Sequence, residues 1–144
     1  MPVLIDTSIL VNAMRRGGDS SLLLLRWAGK DPVWLSSVAL HELYTGADSR
    51  GFKNVEKLED DFAGVGRVLV PELGDWIRAG KILARIGHKY GYELVGRARL
   101  TNDALIAVSA ARTGMKVITA NKRDFELLAE YCPLKWQEQP DFRA

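Results

Sequence analysis

The stretch VLID at residues 3–6, followed by TSIL at residues 7–10, sets the fold expected for this chain. Three apolar residues in a row suit a short buried strand, and a carboxylate closes the run at Asp6. Thr7 and Ser8 then lead into an apolar helix start. A strand that passes at once into a helix is the beginning expected of an α/β protein.

The rest of the chain continues this alternation. Further strands are predicted at Pro32–Leu35, Arg67–Val70, Val117–Thr119 and Leu134–Trp136. Helices are predicted at Leu22–Trp27 after Asp19 or Ser20, Ser37–Ala47 with Ser37 as cap, Asn54–Ala63, Asp75–Tyr90, from Thr101 or Asn102 to Gly114, and Asp124–Glu130. Because strands separated by helices form parallel sheets covered on both faces, we expect one α/β domain over residues 1–144. Its architecture is a three-layer αβα sandwich with a mostly parallel central sheet.

The composition excludes several classes of protein. Of 144 residues, 47% are hydrophobic and 26% are charged, which is typical of globular rather than disordered chains. Cys132 is the only cysteine, so no internal disulfide or cysteine-rich zinc site is possible, and a cytoplasmic location is expected. The aliphatic run Leu22–Leu25 is too short for a membrane span. The net charge of +2 permits nucleic-acid binding without requiring it.

Three acidic residues fall where this fold can bring them to one crevice, at the carboxyl ends of the strands. Asp6 ends a strand, Glu42 lies within a helix, and Asp103 lies in the first turn of another. Each also has an ordinary explanation: a helix cap, a solvated side chain and a favourable helix dipole, respectively. Brought together, the carboxylates would repel one another without a cation. Such oxygen ligands suit Mg²⁺ or Mn²⁺, so the pattern predicts metal-assisted hydrolysis of a nucleic-acid backbone.

Polar neighbours are expected to support these acids. Thr119 ends a strand and Asn121 follows it, and both can hydrogen-bond to the ligands, while Asp124 either completes the site or caps the next helix. His41 is adjacent to Glu42 but points about 100° away around the helix, so we expect it to be a structural or rim residue and not a ligand.

Basic residues near the acidic segments are candidates for contacts with nucleic-acid phosphates. The preferred candidates flank Asp103 and Asp124 and are Arg97, Arg99, Lys122 and Arg123. A second group forms a stripe on one predicted helix, for which a solvated surface is the commoner explanation and a phosphate track the alternative: Arg78, Lys81, Arg85 and Lys89.

Aromatic and apolar residues are expected in the core or at interfaces. The four tryptophans, Trp27, Trp34, Trp76 and Trp136, all fall in predicted helices or strands. An exposed apolar surface that could dock a partner helix is expected around Leu22–Trp27, Val38, Leu40 and Tyr44.

Four segments of the chain together resemble PIN-domain proteins and, within that family, the VapC toxins of bacterial toxin–antitoxin pairs. They are IDTSIL at 5–10, SSVALHEL at 36–43, NDALIAVSA at 102–110 and VITANKRDF at 117–125. One such segment is weak evidence, but four in the family's order are specific. The resemblance implies an αβα fold and a Mg²⁺- or Mn²⁺-dependent endoribonuclease. It gives a metal-ligand role to Asp6, Glu42 and Asp103, and a supporting role to Thr7 or Ser8.

The fourth acidic position departs from the family's pattern. Many relatives have an aspartate where Asn121 stands, while others rely on an acid placed like Asp124, so the second metal site stays open. The resemblance also implies a VapB-like antitoxin whose C-terminal segment covers the active site, and a homodimer or higher hetero-oligomer.

Two alternative functions also fit the sequence. One is a FitB-like PIN protein that acts mainly in a DNA-binding hetero-oligomer with weak or latent nuclease activity. The other is a phosphoaspartate hydrolase or receiver domain, in which an aspartate also follows a strand. Ser8 stands where such a phosphatase usually has a second aspartate, which argues against it.

Overall fold

The computed structural model describes residues 1–15 and 31–139. In this part of the chain, five parallel strands form one sheet: β1 Val3–Ile5, β2 Val33–Ser36, β3 Val68–Leu69, β4 Lys116–Thr119 and β5 Lys135–Glu138. Each predicted strand is confirmed, with ends that differ by one or two residues.

The strands are connected by helices, as predicted. Within the described ranges these are α1 Thr7–Arg15, α2 Ser37–Thr45, α3 Ser49–Gly64, α4 Leu73–Tyr90, α5 Tyr92–Val95, α6 Ala98–Thr113 and α7 Lys122–Ala129. The predicted helix at Leu22–Trp27, with its cap at Asp19 or Ser20, lies outside the described residues. None of the described helices has the length and apolar character needed to cross a membrane.

Several helices begin at residues that the sequence did not indicate. Ser36, rather than Ser37, caps α2, since its Oγ accepts a hydrogen bond from the Val38 amide. Helix α3 begins five residues before the predicted Asn54, because the Asp48 carboxylate caps it through the Gly51 amide at 2.7 Å. Helix α6 begins at Ala98 without a side-chain cap, which left no signal in the sequence.

The core has two parts, one on each face of the sheet. Val3 and Ile5 of β1 pack with residues of α1, α2 and α3, whereas Leu4 packs on the opposite face with residues of α4, α6 and α7. This division follows from the alternation of side chains along a strand. The αβα sandwich is therefore confirmed, and the described sheet is parallel throughout.

The strand order β3-β2-β1-β4-β5 places a topological switch between β1 and β4. Strands β2 and β3 lie on one side of β1, and β4 and β5 lie on the other. This change of direction leaves a crevice at the carboxyl ends of β1 and β4. One residue, Asp6, separates β1 from α1, and β2 passes directly into α2. The first turns of both helices are thus fixed tightly to this edge of the sheet.

The opposite edge is held by a partly buried ion pair. Asp75, in the first turn of α4, is 1% exposed and binds the Arg112 guanidinium of α6, with Nε–Oδ1 and Nη2–Oδ2 distances of 2.9 Å. Asp75 also accepts a hydrogen bond from the Glu72 amide, which completes a capping box. The pair joins the start of α4 to the end of α6, away from the crevice.

The expected apolar docking surface is wrong at Val38, which is 8% exposed and packs in the core. Leu40 and Tyr44 of that surface are half-buried, and its segment Leu22–Trp27 lies outside the described residues. Trp76 is 57% exposed on α4, which excludes the core and leaves the interface half of its prediction. Trp34 and Trp136 are half-buried against the core, in agreement with the prediction, and Trp27 lies outside the described residues.

Candidate metal centre

Asp6 lies buried at the switch between β1 and β4, with 2% of its surface exposed. Its Oδ2 accepts hydrogen bonds from Ser8 Oγ and Thr119 Oγ1, each at 2.8 Å. Its Oδ1 has no hydrogen-bond partner among the described residues. Burial raises the pKa of Asp6, against the opposing effect of the two hydroxyl donors. A buried carboxylate with one free oxygen is costly unless a proton or a cation compensates it.

The two hydroxyls that hold Asp6 are themselves fixed by backbone amides. Ser8 Oγ accepts from the Ala120 amide at 3.0 Å, and Thr119 Oγ1 accepts from the Asn121 amide at 2.9 Å. With an amide proton on the oxygen, each hydroxyl directs its own hydrogen to the carboxylate. Thr119 and Ser8 therefore lie where the sequence predicted supports, one at the end of β4 and one at the start of α1.

Glu42 is half-buried on α2 and lines the same crevice as Asp6 and Asp103. Its Oε1 accepts a hydrogen bond from Thr7 Oγ1 at 2.8 Å. This bond joins α2 to α1, so Glu42 is not a freely solvated helical glutamate. His41 is exposed at the rim of the crevice, as expected.

Asp103 lies in the second turn of α6, not the first, because the helix begins at Ala98. The helix-dipole explanation for this acid is therefore wrong, since that effect is confined to the first turn. The side chain is 2% exposed. Burial, the charge of Asp6, and the nearby Asp124 and Glu42 raise the pKa of Asp103 to about 9. Without a cation, Asp103 is therefore protonated at neutral pH.

Asn121 connects the third and fourth acidic positions. Its Nδ2 donates to Asp103 Oδ2 at 3.0 Å and to Asp124 Oδ2 at 2.9 Å. Its Oδ1 accepts from the Asp124 amide at 3.4 Å, so Asn121 is the cap of α7 and Asp124 is not. One neutral amide thus orients two carboxylates without adding charge.

The acids lie along an open crevice of about 690 Å³. Among residues 1–15 and 31–139, no three acidic, histidine or cysteine side chains form a ready-made shell for one metal ion. The donor chemistry nevertheless fits a hard divalent cation, because the acids supply oxygens, Asp6 Oδ1 is unpaired, and their mutual repulsion is what a cation relieves. Mg²⁺ keeps several of its waters and needs only one or two direct carboxylates. The residues fit such a partly hydrated ion.

The predicted basic residues divide into groups. Arg99 lines the acidic crevice, and Arg97 and Arg123 line a smaller neighbouring depression. Lys122 lines a different, shallow depression. The stripe on α4 is exposed and does not line the acidic crevice, so the solvated-surface explanation fits it better: Arg78, Lys81, Arg85 and Lys89.

Asn102 also lines the crevice, although the sequence indicated it only as a possible helix cap. Its place directly before Asp103 on α6 was the available signal.

The model of the PIN domain family matches residues 3–131 of the chain. The DNA-bound VapBC structure from Salmonella typhimurium is 20% identical over 96% of this chain and 98% of that chain, with a TM-score of 0.68. VapBC2 from Rickettsia felis, bound to a promoter DNA fragment, is 22% identical over 96% and 99%, with a TM-score of 0.70. FitAcB from Neisseria gonorrhoeae is 21% identical over 93% and 95%, with a TM-score of 0.55.

At these identities the solved structures establish the likeness of the fold alone. No curated protein shows a significant match to the sequence. PIN domains are generally nucleases. Since the family model covers residues 3–131, including all four acidic positions, this chain belongs to the PIN domain family.

Proposed function

We propose that this chain is the endoribonuclease toxin of a VapBC-type toxin–antitoxin pair and that it hydrolyses RNA with Mg²⁺ or Mn²⁺. The observation that carries the proposal is the unpaired Oδ1 of buried Asp6, in a crevice where burial and the neighbouring acids raise the pKa of Asp103 to about 9. Such a site favours the binding of a cation. Membership of a family of nucleases supports the chemistry, and the likeness to VapBC structures supports the toxin role.

In this proposal Asp6, Glu42 and Asp103 hold a partly hydrated ion, one or two of them directly and the others through its waters. When bound, a divalent cation lowers the pKa of water and neutralises charge on the scissile phosphodiester. Asp103 must release its proton to become a ligand, so ion binding is coupled to pH. Asp124, held by Asn121, is available to complete the site or to accept a proton.

The supporting residues in this proposal keep the acids in position before the ion arrives. Thr7 orients Glu42, while Ser8 and Thr119 orient Asp6 so that its free oxygen faces away from their bonds. Such pre-organisation is what outer ligands of metal sites usually provide.

We also propose that the partner of this chain is a VapB-like antitoxin and that the two assemble as a hetero-oligomer, or the chain alone as a homodimer. We further propose that residues 1–144 form a single nuclease domain and that the protein acts in the cytoplasm. The likeness to VapBC structures supports the choice of partner. An antitoxin with a basic side chain would complement the acidic crevice, because opposite charges favour docking at such a site.

The test is cleavage of a mixed-sequence RNA by the purified chain with Mg²⁺, with Mn²⁺ and with EDTA. We expect cleavage only with an ion. Asp6→Asn and Asp103→Asn should lose more activity than the roughly 10- to 100-fold typical of residues that only support a metal ligand. The exposed Asp60→Asn is the matched control and should cleave like the wild type.

Cleavage in EDTA, or undiminished cleavage by Asp6→Asn, would contradict the proposal. The FitB-like alternative predicts DNA binding with a partner and little ion-dependent cleavage. Sequencing of RNA ends after induced expression of the wild type and Asp103→Asn would then identify the RNA cut in cells.

A further inference from the structure

Three arginines surround a small depression beside the acidic crevice, and together we call them the arginine pocket: Arg97, Arg99 and Arg123. Arg97 precedes α6, Arg99 lies in its first turn, and Arg123 lies in the first turn of α7. All three side chains are exposed, and the depression measures about 180 Å³. Both helices thus begin at the pocket, so their dipoles add to its positive potential.

None of the three guanidinium groups forms a hydrogen bond or an ion pair with another described residue. Arg112 shows the contrast, because it is paired with Asp75 and Glu72. The residues that line the depression carry three positive charges and one negative charge, that of Asp124, so the depression attracts an anion. The guanidinium fork matches the oxygens of a phosphate in particular.

The arginine pocket is continuous with the candidate metal centre. Arg99 lines both the depression and the acidic crevice. Asn121 and Asp124 line the depression, and Asn121 also donates to Asp103. A ligand in the pocket therefore lies next to whatever occupies the crevice.

The segment that carries Arg97 is packed against α4. The Tyr92 ring lies against Gly87, where an added Cβ would come within 2.6 Å of the ring. The same ring meets His88 edge-on, with 5.9 Å between centroids. This packing fixes α5 to α4 and so limits where the following arginines can lie.

We propose that the arginine pocket binds a phosphate of the RNA strand next to the phosphodiester that is cleaved. This rests on the proposed function and adds a second contact for the same strand. A nucleic-acid strand fits better than an acidic peptide, because one strand can present one phosphate to a cation in the crevice and the neighbouring phosphate to the pocket. A peptide carboxylate in the pocket would leave the cation without such a partner.

The test measures binding of a fluorescein-labelled, mixed-sequence, single-stranded RNA by anisotropy in EDTA, which separates binding from cleavage. The triple variant Arg97→Gln, Arg99→Gln, Arg123→Gln should bind about 10- to 100-fold more weakly, as expected for lost hydrogen bonds to a charged group. Its slope of log affinity against log salt should fall by about 0.7, the value for one phosphate of a single strand.

The matched control removes three positive charges from the exposed stripe on α4: Arg78→Gln, Lys81→Gln, Arg85→Gln. This variant should retain most of the affinity, because the stripe does not line the crevice. Circular dichroism spectra of both variants should equal that of the wild type. An Arg→Lys triple variant of the pocket should recover only part of the affinity, because lysine keeps the charge but not the fork.

Equal loss in the pocket and stripe variants would overturn the proposal, because it would show general electrostatic attraction. Unchanged RNA affinity in the pocket variant would also overturn it, as would displacement of the RNA by poly-glutamate but not by polyphosphate. If the pocket variant loses affinity while the wild type shows no ion-dependent cleavage, the pocket stands as an RNA phosphate site and the proposed nuclease function falls.

Discussion

Replacing Asp103 with asparagine should reduce the pH dependence of stability in the metal-free protein. The folded-state pKa of Asp103 is raised from 3.8 to about 9, so at intermediate pH the folded state holds a proton that the unfolded state has released. Stability therefore falls as the pH rises through this window, by about 1.4 kcal/mol per pH unit for one proton. From pH 5 to pH 7 the loss is at most about 3 kcal/mol. In a chain of this size that corresponds to roughly 6–12 °C in Tm.

The assay is urea denaturation followed by circular dichroism in EDTA at both pH values. The wild type should lose stability between pH 5 and pH 7, and Asp103→Asn should lose distinctly less. A residual dependence is expected because burial also raises the pKa of Asp6. The exposed Asp60→Asn should behave like the wild type. Equal losses in the wild type and Asp103→Asn would refute the reasoning, and so would a wild type that becomes more stable over this window.

Three further changes test other parts of the structure. Arg112→Met should destabilise the fold by at most about 3–5 kcal/mol, the range for a fully buried pair, because Asp75 loses its charge partner although Arg112 itself is 31% exposed. RNA cleavage per folded molecule should stay unchanged. Gly87→Ala should cost about 1–3 kcal/mol in thermal denaturation because the new methyl group meets the Tyr92 ring, and adding Tyr92→Ala should relieve that clash. Asn121→Asp should bind Mn²⁺ more tightly in calorimetry, because it adds a carboxylate to the site. In EDTA the variant should be less stable than the wild type, because it loses the two hydrogen bonds that Asn121 donates. Weaker Mn²⁺ binding would contradict this prediction.

Much of the fold could be predicted because its signals are local. An apolar run that ends at Asp6 predicts a strand, and apolar residues at helical spacing after Ser37 predict a helix. Strand β1 and helix α2 form close to those predicted positions. The start of α6 could not be found, because Arg97 makes no side-chain cap, and the polar residues Thr101 and Asn102 imitate one. Helix α5, with four residues, is too short to show a period.

The candidate site was predictable as a set of residue types but not as a network. The acids and their polar neighbours were recognisable in the sequence, and the structure brings Asp6, Glu42 and Asp103 to one crevice. The two bonds from Asn121, by contrast, depend on where α6 and α7 begin relative to each other. Such a relation is a property of tertiary packing, which no local pattern records.

The direct passage of β2 into α2 also limits how the chain can change in length. An extra residue inserted at Ser36–Ser37 would turn every later position of α2 by about 100°, which would carry Glu42 out of the crevice. The turn at Val65–Arg67 between α3 and β3 has no such constraint from the acids, so an added residue there leaves them undisturbed. Related sequences should therefore tolerate insertions and deletions at that turn, and almost none at the junctions between β1 and α1 and between β2 and α2.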